Sequence, residues 1–278
     1  MPPLVVIASL LGAAALLIVG APFLLARGAW RVTYPRLALA LWHAAFAIGV
    51  LCAVASLLWT TAFACLLGSA GCTGWLEPTV VVIAAWVGLA GFGAIVALVV
   101  SRTEPLAEAD RALRLQLTHL TATNRCHDVR GVRVVVLESD VPVAFSVRGD
   151  DARVVVTTRL ERELTPAQLR AVIEHERAHL VQHHGFISQL AQVNRACLPA
   201  VPAAREFERT TKFLVELIAD DAAARVVGAA AVANALLRVG TMQGDESVLL
   251  RARRIAQRPP RGSVSTRRVP VEQAPVFS

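Results

Sequence analysis

Long stretches without a charged residue constrain this chain more than any other feature. Three of them lie within the first 101 residues: Leu4–Ala26, Leu37–Leu76 and Pro78–Ser101. A helix needs about 20 consecutive apolar residues to cross a bilayer. We therefore predict three transmembrane helices, near residues 4–26, 38–66 and 79–100. The first stretch has no basic residues before it and is too long for the apolar region of a cleaved signal peptide.

The composition supports a chain with two different halves. Hydrophobic residues make up 55% of the sequence and charged residues 18%. Soluble domains average about 25% charged residues, so these values exclude a purely soluble protein and a disordered chain. Most of the apolar excess lies in the first 100 residues. The sequence predicts a membrane domain over residues 1–101 and a soluble domain over residues 102–245.

Arginines flank the three apolar stretches unevenly. The loop between the second and third predicted helices contains no Lys or Arg, whereas the other flanking segments contain six arginines: Arg27, Arg31, Arg36, Arg102, Arg111 and Arg114. Cytoplasmic loops of membrane proteins are enriched in Lys and Arg. We therefore expect a multi-pass protein of the cell membrane, with residues 68–76 outside and everything after residue 101 in the cytoplasm.

The C-terminal segment, residues 246–278, is rich in proline and arginine. Residues 251–278 hold seven arginines and one acidic residue, so most of the net charge of +7 lies there. We expect a solvated, disordered tail, and truncation after Leu250 should leave the rest of the protein intact. A nucleic-acid-binding arm and a weak attraction to anionic lipid are the alternatives. The remaining chain is almost neutral, so no direct binding of nucleic acid is expected.

The soluble half combines short strands with longer helices. An amphipathic helix is predicted over residues 105–122 and three β-segments over 131–138, 141–147 and 152–157. Thr165, Pro166 and Gln168 form a helix start with a capping box. That helix should run to about His184 and stop at Gly185, and a further helix is expected over 205–227. The fold class is a membrane-anchored α+β, mainly helical fold with a small sheet.

The capped helix contains the motif His175-Glu176-Arg177-Ala178-His179. Two histidines four residues apart lie on one helix face, so both rings can reach one metal ion. Zinc favours imidazole nitrogen, and a catalytic zinc site has three protein ligands and one open position. Glu176 lies beside that position, where it can take a proton from an attacking water and pass it to the leaving amine. A solvated helix face with two histidines is the alternative interpretation.

A third ligand must come from elsewhere. His183 lies about 12 Å along the helix axis from His175, and His184 is no better placed on a straight helix. Glu216 and Asp220 are four residues apart on the helix predicted over 205–227. A carboxylate ligand one turn from a carboxylate that supports a metal-bound histidine suits such a site. By themselves the two residues would fit an ordinary charged helix face, but beside the histidine motif we favour the metal site.

The segments HERAHLVQHHG and ELIADDAAARVVG resemble the gluzincin membrane peptidases of the HtpX and CaaX-protease type. They are more similar still to the integral membrane metallopeptidases of the BlaR/MecR type, especially short actinobacterial members. The resemblance implies one Zn²⁺ per chain, with His175, His179 and Glu216 as ligands, Glu176 as the base and Asp220 as support. No segment of this sequence could form the penicillin-binding sensor domain of the BlaR/MecR proteins, so β-lactam sensing is not expected.

The resemblance also extends to the segments around Phe145 and Val154. Family members use such an edge strand to bind the substrate backbone in β-fashion, which implies roles for Val143, Ala144 and Phe145. The resemblance implies protein or peptide substrates, including a transcriptional repressor or the protease itself.

We interpret the chain as a membrane-embedded zinc endopeptidase acting on the cytoplasmic side. One alternative is a non-catalytic signal transducer with a structural or degenerate zinc site, which would not need Glu176. A second is a membrane anchor whose basic tail binds lipid or nucleic acid, which would need neither metal motif.

The predicted topology can be tested by cysteine labelling of intact cells. In variants that retain a single cysteine, a membrane-impermeant thiol reagent should modify Cys72 and leave Cys126 unmodified until the cells are lysed. Modification of Cys126 with protection of Cys72 would invert the topology.

Overall fold

The computed structural model describes residues 3–25, 28–69, 76–121, 125–149 and 151–257. Most of the predicted outer loop, residues 68–76, lies outside the described residues. The chain after residue 257 also lies outside them.

Helices form nearly all of the described part of the N-terminal half. In chain order they are α1 (Pro3–Ala15), a π-helical turn at Leu16–Gly20, α2 (Ala21–Leu25), α3 (Trp30–Thr33), α4 (Pro35–Ser69) and α5 (Leu76–Thr121). Three segments are long and apolar enough to cross a membrane: Val5–Leu25, Pro35–Phe63 and Trp86–Ala109. The predicted series of three apolar helices is confirmed.

Helix α5 differs from the expectation. We expected a membrane helix ending near residue 100 and a separate amphipathic helix over 105–122. The structure has one helix of 46 residues that contains Pro105. The change from apolar to charged sequence at Arg102 indicates where a bilayer would end, but charged residues are compatible with helical backbone. The backbone therefore continues through that change.

A four-stranded sheet follows α5. Its strands are β1 (Arg125–Val129), β2 (Val132–Leu137), β3 (Ala144–Val147) and β4 (Arg153–Thr157), in the order β1-β2-β4-β3. Strands β2 and β4 are parallel, whereas β1 with β2 and β3 with β4 are antiparallel. Strand β1 was not predicted, because its polar residues show no clear apolar alternation. The turn at Arg130 and Gly131, both with positive φ, closes its hairpin with β2.

Six helices complete the described chain. They are α6 (Thr158–Glu163), α7 (Pro166–Val181), α8 (His184–Cys197), α9 (Pro202–Val227), α10 (Ala229–Gln243) and α11 (Glu246–Ala256). The predicted capping box of Thr165 and Gln168 is present at the start of α7. The predicted end of this helix is wrong. Helix α7 ends at Val181, His183 adopts a left-handed conformation, and Gly185 lies within α8.

One hydrophobic core lies between the sheet and α7. Val134, Val154 and Val156 pack against Leu160 and Ile173, and all five are buried. A second cluster joins α7 to α9, α10 and α11 through small side chains and Ile255. These two clusters fix α7 between the sheet and α9.

Helix α9 also packs against the first turns of α4. Leu39 contacts Leu214 and Ile218. One turn further along α4, Trp42 stacks on Phe207 with ring centroids 6.2 Å apart. Protein therefore covers this end of α4, although we expected the second membrane helix to begin at residue 38.

The prediction of a disordered tail from residue 246 is wrong for Glu246–Ala256, which form α11. Asp245 caps this helix by accepting a hydrogen bond from the backbone N–H of Ser247. Val248, Ala252 and Ile255 are buried at helical spacing, so this face packs against the rest of the protein. The high arginine content concealed an amphipathic helix.

Two truncations test the role of α11. Removing residues after Leu250 should lower the thermal unfolding midpoint of the purified protein by about 6–12 °C, because it deletes buried Ile255 and the arginines paired with buried carboxylates. Truncation after Gln257 is the control and should leave the midpoint unchanged. Equal midpoints for the two proteins would contradict the packing of α11.

Candidate metal centre

Helix α7 brings two imidazole rings together. His175 and His179 are one turn apart, and their Nε2 atoms lie 3.1 Å from each other. The helix is fixed by its capping box at one end and by the sheet along its length. The two nitrogen atoms therefore face one point beside α7.

Helix α9 supplies a carboxylate at the same point. Glu216 Oε2 lies 3.4 Å from His175 Nε2, and Glu216 Oε1 lies 3.5 Å from His179 Nε2. Ligands about 2.05 Å from a tetrahedral zinc ion are separated by about 3.3 Å. Among the described residues, these three form the group of His, Cys, Asp or Glu side chains close enough to hold one ion. Their donor atoms and spacing fit zinc.

Asp220 contacts His175 at Nδ1, the ring nitrogen that faces away from Glu216 and His179. Its side chain is fully buried, and Oδ1 lies 3.0 Å from His175 Nδ1. A carboxylate on this nitrogen fixes the ring orientation and leaves Nε2 to face the metal position. Asp220 therefore lies where it can orient the ring of His175.

Arg251 on α11 connects the two carboxylates. Its Nε donates to Asp220 Oδ2 at 2.8 Å and its Nη2 to Asp220 Oδ1 at 2.7 Å. Its Nη1 lies 2.8 Å from Glu216 Oε2. The sequence analysis missed this residue by assigning it to a disordered tail. The spacing of Val248, Ala252 and Ile255 is the signal that could have identified the helix.

His184 is a second residue that the sequence analysis missed. Its Nδ1 lies 3.1 Å from Nδ1 of His179. The break at His183 turns the chain and brings His184 back to α7, which a straight helix could not do. If the Nδ1–H of His179 donates to His184, Nε2 of His179 keeps its lone pair for a metal ion. His183 itself is exposed and lies outside the cluster.

The charges of the group favour a cation. Burial works to lower the pKa of His175, but the carboxylates of Asp220 and Glu216 outweigh it and raise the pKa to about 10. Burial and the nearby His175 lower the pKa of His179 to about 3. Burial opposes ionisation of Glu216, yet His175 and Arg251 hold its pKa well below the usual value. With both imidazoles neutral, the two carboxylates of Asp220 and Glu216 face the single positive charge of Arg251, which leaves one negative charge for a cation to balance.

Glu176 lies beside the ligand group without belonging to it. Burial raises the pKa of its carboxyl group to about 7, although His175 and a hydrogen bond from Ser146 oppose this rise. A carboxyl group with a pKa near 7 can both accept and donate a proton at neutral pH. Ser146, on β3, was not among the predicted site residues.

Strand β3 forms the edge of the sheet next to α7. The N–H of Thr157 donates to the carbonyl of Val143, and the N–H of Val143 donates to Thr157 Oγ1. Backbone polar groups in antiparallel pairs alternate between the two sides of a strand. Phe145 therefore points its polar groups at β4, like Val143, whereas Ala144 and Ser146 point theirs at the edge. Ala144 and Ser146 thus supply the outward backbone groups of this edge, while Phe145 lines the cavity along α8.

Two cavities meet at Glu176. One extends between α7, α10 and α11, and the other extends along α8. His175, Glu176, Glu216 and Ala144 line both. The candidate metal ligands His175 and Glu216 therefore lie in a cleft that continues toward α10 on one side and along α8 on the other.

A histidine pair on one helix and a carboxylate on a second, beside an edge strand, define the class of the metallopeptidases. The family model of peptidase family M48 matches residues 107–247, just over half of the chain, and the chain belongs to this family. Members of the family are, in general, zinc-dependent metallopeptidases. No curated protein and no solved structure matches the chain.

The support from His184 can be tested against its exposed neighbour. His184→Ala should weaken zinc binding about 10–100-fold, because His179 loses the partner that orients its ring. His183→Ala is the matched control and should bind zinc as the wild type does. Both affinities can be measured by competition with a chromogenic chelator. Similar affinities for the two variants would show that His184 does not support the site.

Proposed function

We propose that this protein is a membrane-embedded, zinc-dependent endopeptidase. The position of Glu176 carries the proposal. Its partly buried carboxyl group lies beside three potential zinc ligands and next to an edge strand, in a cleft that passes the site on both sides. A structural zinc site needs neither a general base nor a cleft.

His175, His179 and Glu216 are the proposed zinc ligands, one ion per chain. Bound there, zinc would supply Lewis-acid chemistry by polarising a carbonyl group and lowering the pKa of water. Asp220 orients His175, and His184 orients His179. Arg251 holds the carboxylates of Glu216 and Asp220 in place and offsets their negative charge.

Glu176 is the proposed general base and acid. It takes a proton from the attacking water and later gives it to the amine that leaves. A pKa of about 7 suits both steps, because the group is then neither a weak base nor a weak acid at neutral pH. The hydroxyl of Ser146 holds the carboxyl group on the substrate side.

The substrate would bind as an extended chain along β3. The outward backbone groups of Ala144 and Ser146 can add a strand to the sheet. Because the cleft continues on both sides of Glu176, peptide can extend in both directions from the cleaved bond. This geometry favours cleavage within a chain over removal of terminal residues.

The cellular setting is part of the proposal. Three apolar helices support a multi-pass membrane protein, and the arginine distribution supports a catalytic domain in the cytoplasm. We assign residues 1–101 to the membrane domain and extend the soluble domain from residue 102 to the end of α11. The resemblance to membrane peptidases of the BlaR/MecR and HtpX type supports regulated proteolysis of a protein substrate, such as a repressor or the protease itself.

A contact between the two halves favours a second candidate function, a non-catalytic signal transducer. Arg254 pairs with Asp221, next to Asp220, at 2.8 Å, and its Nε donates to the carbonyl of Val32 at 3.2 Å. Val32 lies between the first two apolar helices. A displacement in the membrane could therefore reach the metal group through α11. This function would not need Glu176, so we favour the peptidase.

Two substitutions separate metal binding from catalysis. Glu176→Gln keeps all three proposed ligands, so zinc should stay bound while peptide cleavage falls about 10²–10⁴-fold with loss of the proton carrier. Glu216→Ala removes a ligand, so both zinc and activity should be lost. Zinc content is measured by elemental analysis and cleavage with fluorogenic peptides or casein. Unchanged cleavage by Glu176→Gln would exclude its role as the base, and zinc bound to an inactive wild type would favour the transducer.

A further inference from the structure

The two cavities that meet at Glu176 differ in character. Aliphatic side chains line most of the cavity between α7 and α10, including Val172, Leu236 and Val239. The cavity along α8 is lined mainly by polar groups, including Arg148, Gln192 and Lys212. A peptide that passes Glu176 therefore has an apolar environment on one side of the cleaved bond and, on the other, a polar environment that includes the guanidinium group of Arg148.

Strand β3 connects the two environments. Side chains alternate along a strand, and Phe145 and Val147 pack with Val155 and Leu137 in a cluster without α7 residues, although Phe145 also lines the cavity along α8. Ala144 packs against the core beneath α7, and Ser146 lines the cavity along α8 together with Glu176. By the same alternation Arg148 is on the site face, about 7 Å beyond Ser146 along the strand. That distance is about two residues of an extended substrate.

The guanidinium group of Arg148 lies against the first turn of α8. A Cβ atom placed on Gly185 would be only 2.4 Å from Nε and 2.5 Å from Cζ of Arg148. Glycine at this position therefore leaves the space that the guanidinium group occupies. In the described part of the chain, no acidic side chain forms an ion pair with Arg148. Lys212, the other cation of this cavity, is more exposed and pairs with Glu208 at 2.6 Å.

We propose that Arg148 is a specificity-determining residue that binds a substrate carboxylate. This inference rests on the proposed peptidase function and adds its substrate class. The preferred peptide carries an acidic side chain about two residues from the cleaved bond on one side and an aliphatic side chain on the other. The forked guanidinium group suits a carboxylate, since two N–H groups can donate to its two oxygens.

Cleavage-site profiling measures this preference directly. The zinc-loaded full-length protein is incubated in detergent with a random peptide library whose C-termini are amidated, and the products are sequenced by mass spectrometry. Acidic residues should be enriched at one position about two residues from the cleaved bond, and aliphatic residues on the opposite side. In matched peptides, Glu at that position should give a kcat/KM about 10–100-fold higher than Gln. Peptides that end at this position with a free C-terminal carboxylate test whether Arg148 binds a chain terminus instead of an acidic side chain.

Two variants of the proposed binding site test the assignment to Arg148. Arg148→Glu should reverse the ratio, so that Lys is preferred to Glu. Gly185→Ala keeps the charge but displaces the guanidinium group, and should reduce the ratio of Glu to Gln cleavage. Arg125→Gln is the control, because Arg125 lies on β1 at the opposite edge of the sheet and pairs with Glu161. It should keep the wild-type ratio.

The outcomes separate this inference from the proposed function. Cleavage with no charge preference, or an acidic preference that persists in Arg148→Glu, overturns the role of Arg148 and leaves the peptidase intact. If cleavage is enhanced only for peptides with a free C-terminal carboxylate, Arg148 binds that carboxylate and not an acidic side chain. This result would overturn the proposed side-chain specificity. If the wild type binds zinc and cleaves nothing, the peptidase fails. Binding of labelled Glu and Gln peptides by zinc-loaded Glu176→Gln then still tests Arg148, and equal affinities would overturn its role.

Discussion

The buried ion cluster between α7, α9 and α11 is the interaction on which this site depends. Removing a carboxylate from water costs several kcal/mol unless partners compensate for its charge. Asp220 is fully buried, but Arg251 donates two hydrogen bonds to it and His175 faces its remaining side. The same guanidinium group reaches Glu216. One arginine thus holds the carboxylate of the proposed ligand Glu216 and the carboxylate of Asp220 in place around His175.

Helix α9 serves two parts of the molecule at once. Its central residues carry Glu216 and Asp220, while Phe207 and Leu214 pack against the first turns of α4. The adjacent Asp221 binds Arg254, which also contacts the backbone between the first two apolar helices. The apolar half of the chain is therefore in direct contact with the helix that carries the proposed ligand.

Much of the fold and of the site could be predicted because the signals are local. The charge-free stretches predicted the three apolar helices, and Thr165 with Gln168 predicted the start of α7. The spacing of His175 and His179 placed two imidazoles on one face. The predictions that were wrong also depended on local features of the sequence. A polar β1 shows no alternation, the left-handed turn at His183 has no glycine to mark it, and the arginines of α11 concealed its apolar spacing.

The sequence by itself determined which residues share a helix face, because the helical repeat fixes neighbours three or four positions apart. It thereby determined the pairing of His175 with His179 and of Glu216 with Asp220. Only the tertiary structure decided which faces meet. The packing of the helices placed Arg251 and His184 beside the proposed zinc ligands. It also placed Ala144, Ser146 and Arg148 along the cleft. These contacts depend on the packing of α7 against the sheet, α9 and α11, and no short-range sequence pattern records the direction from which a distant side chain approaches.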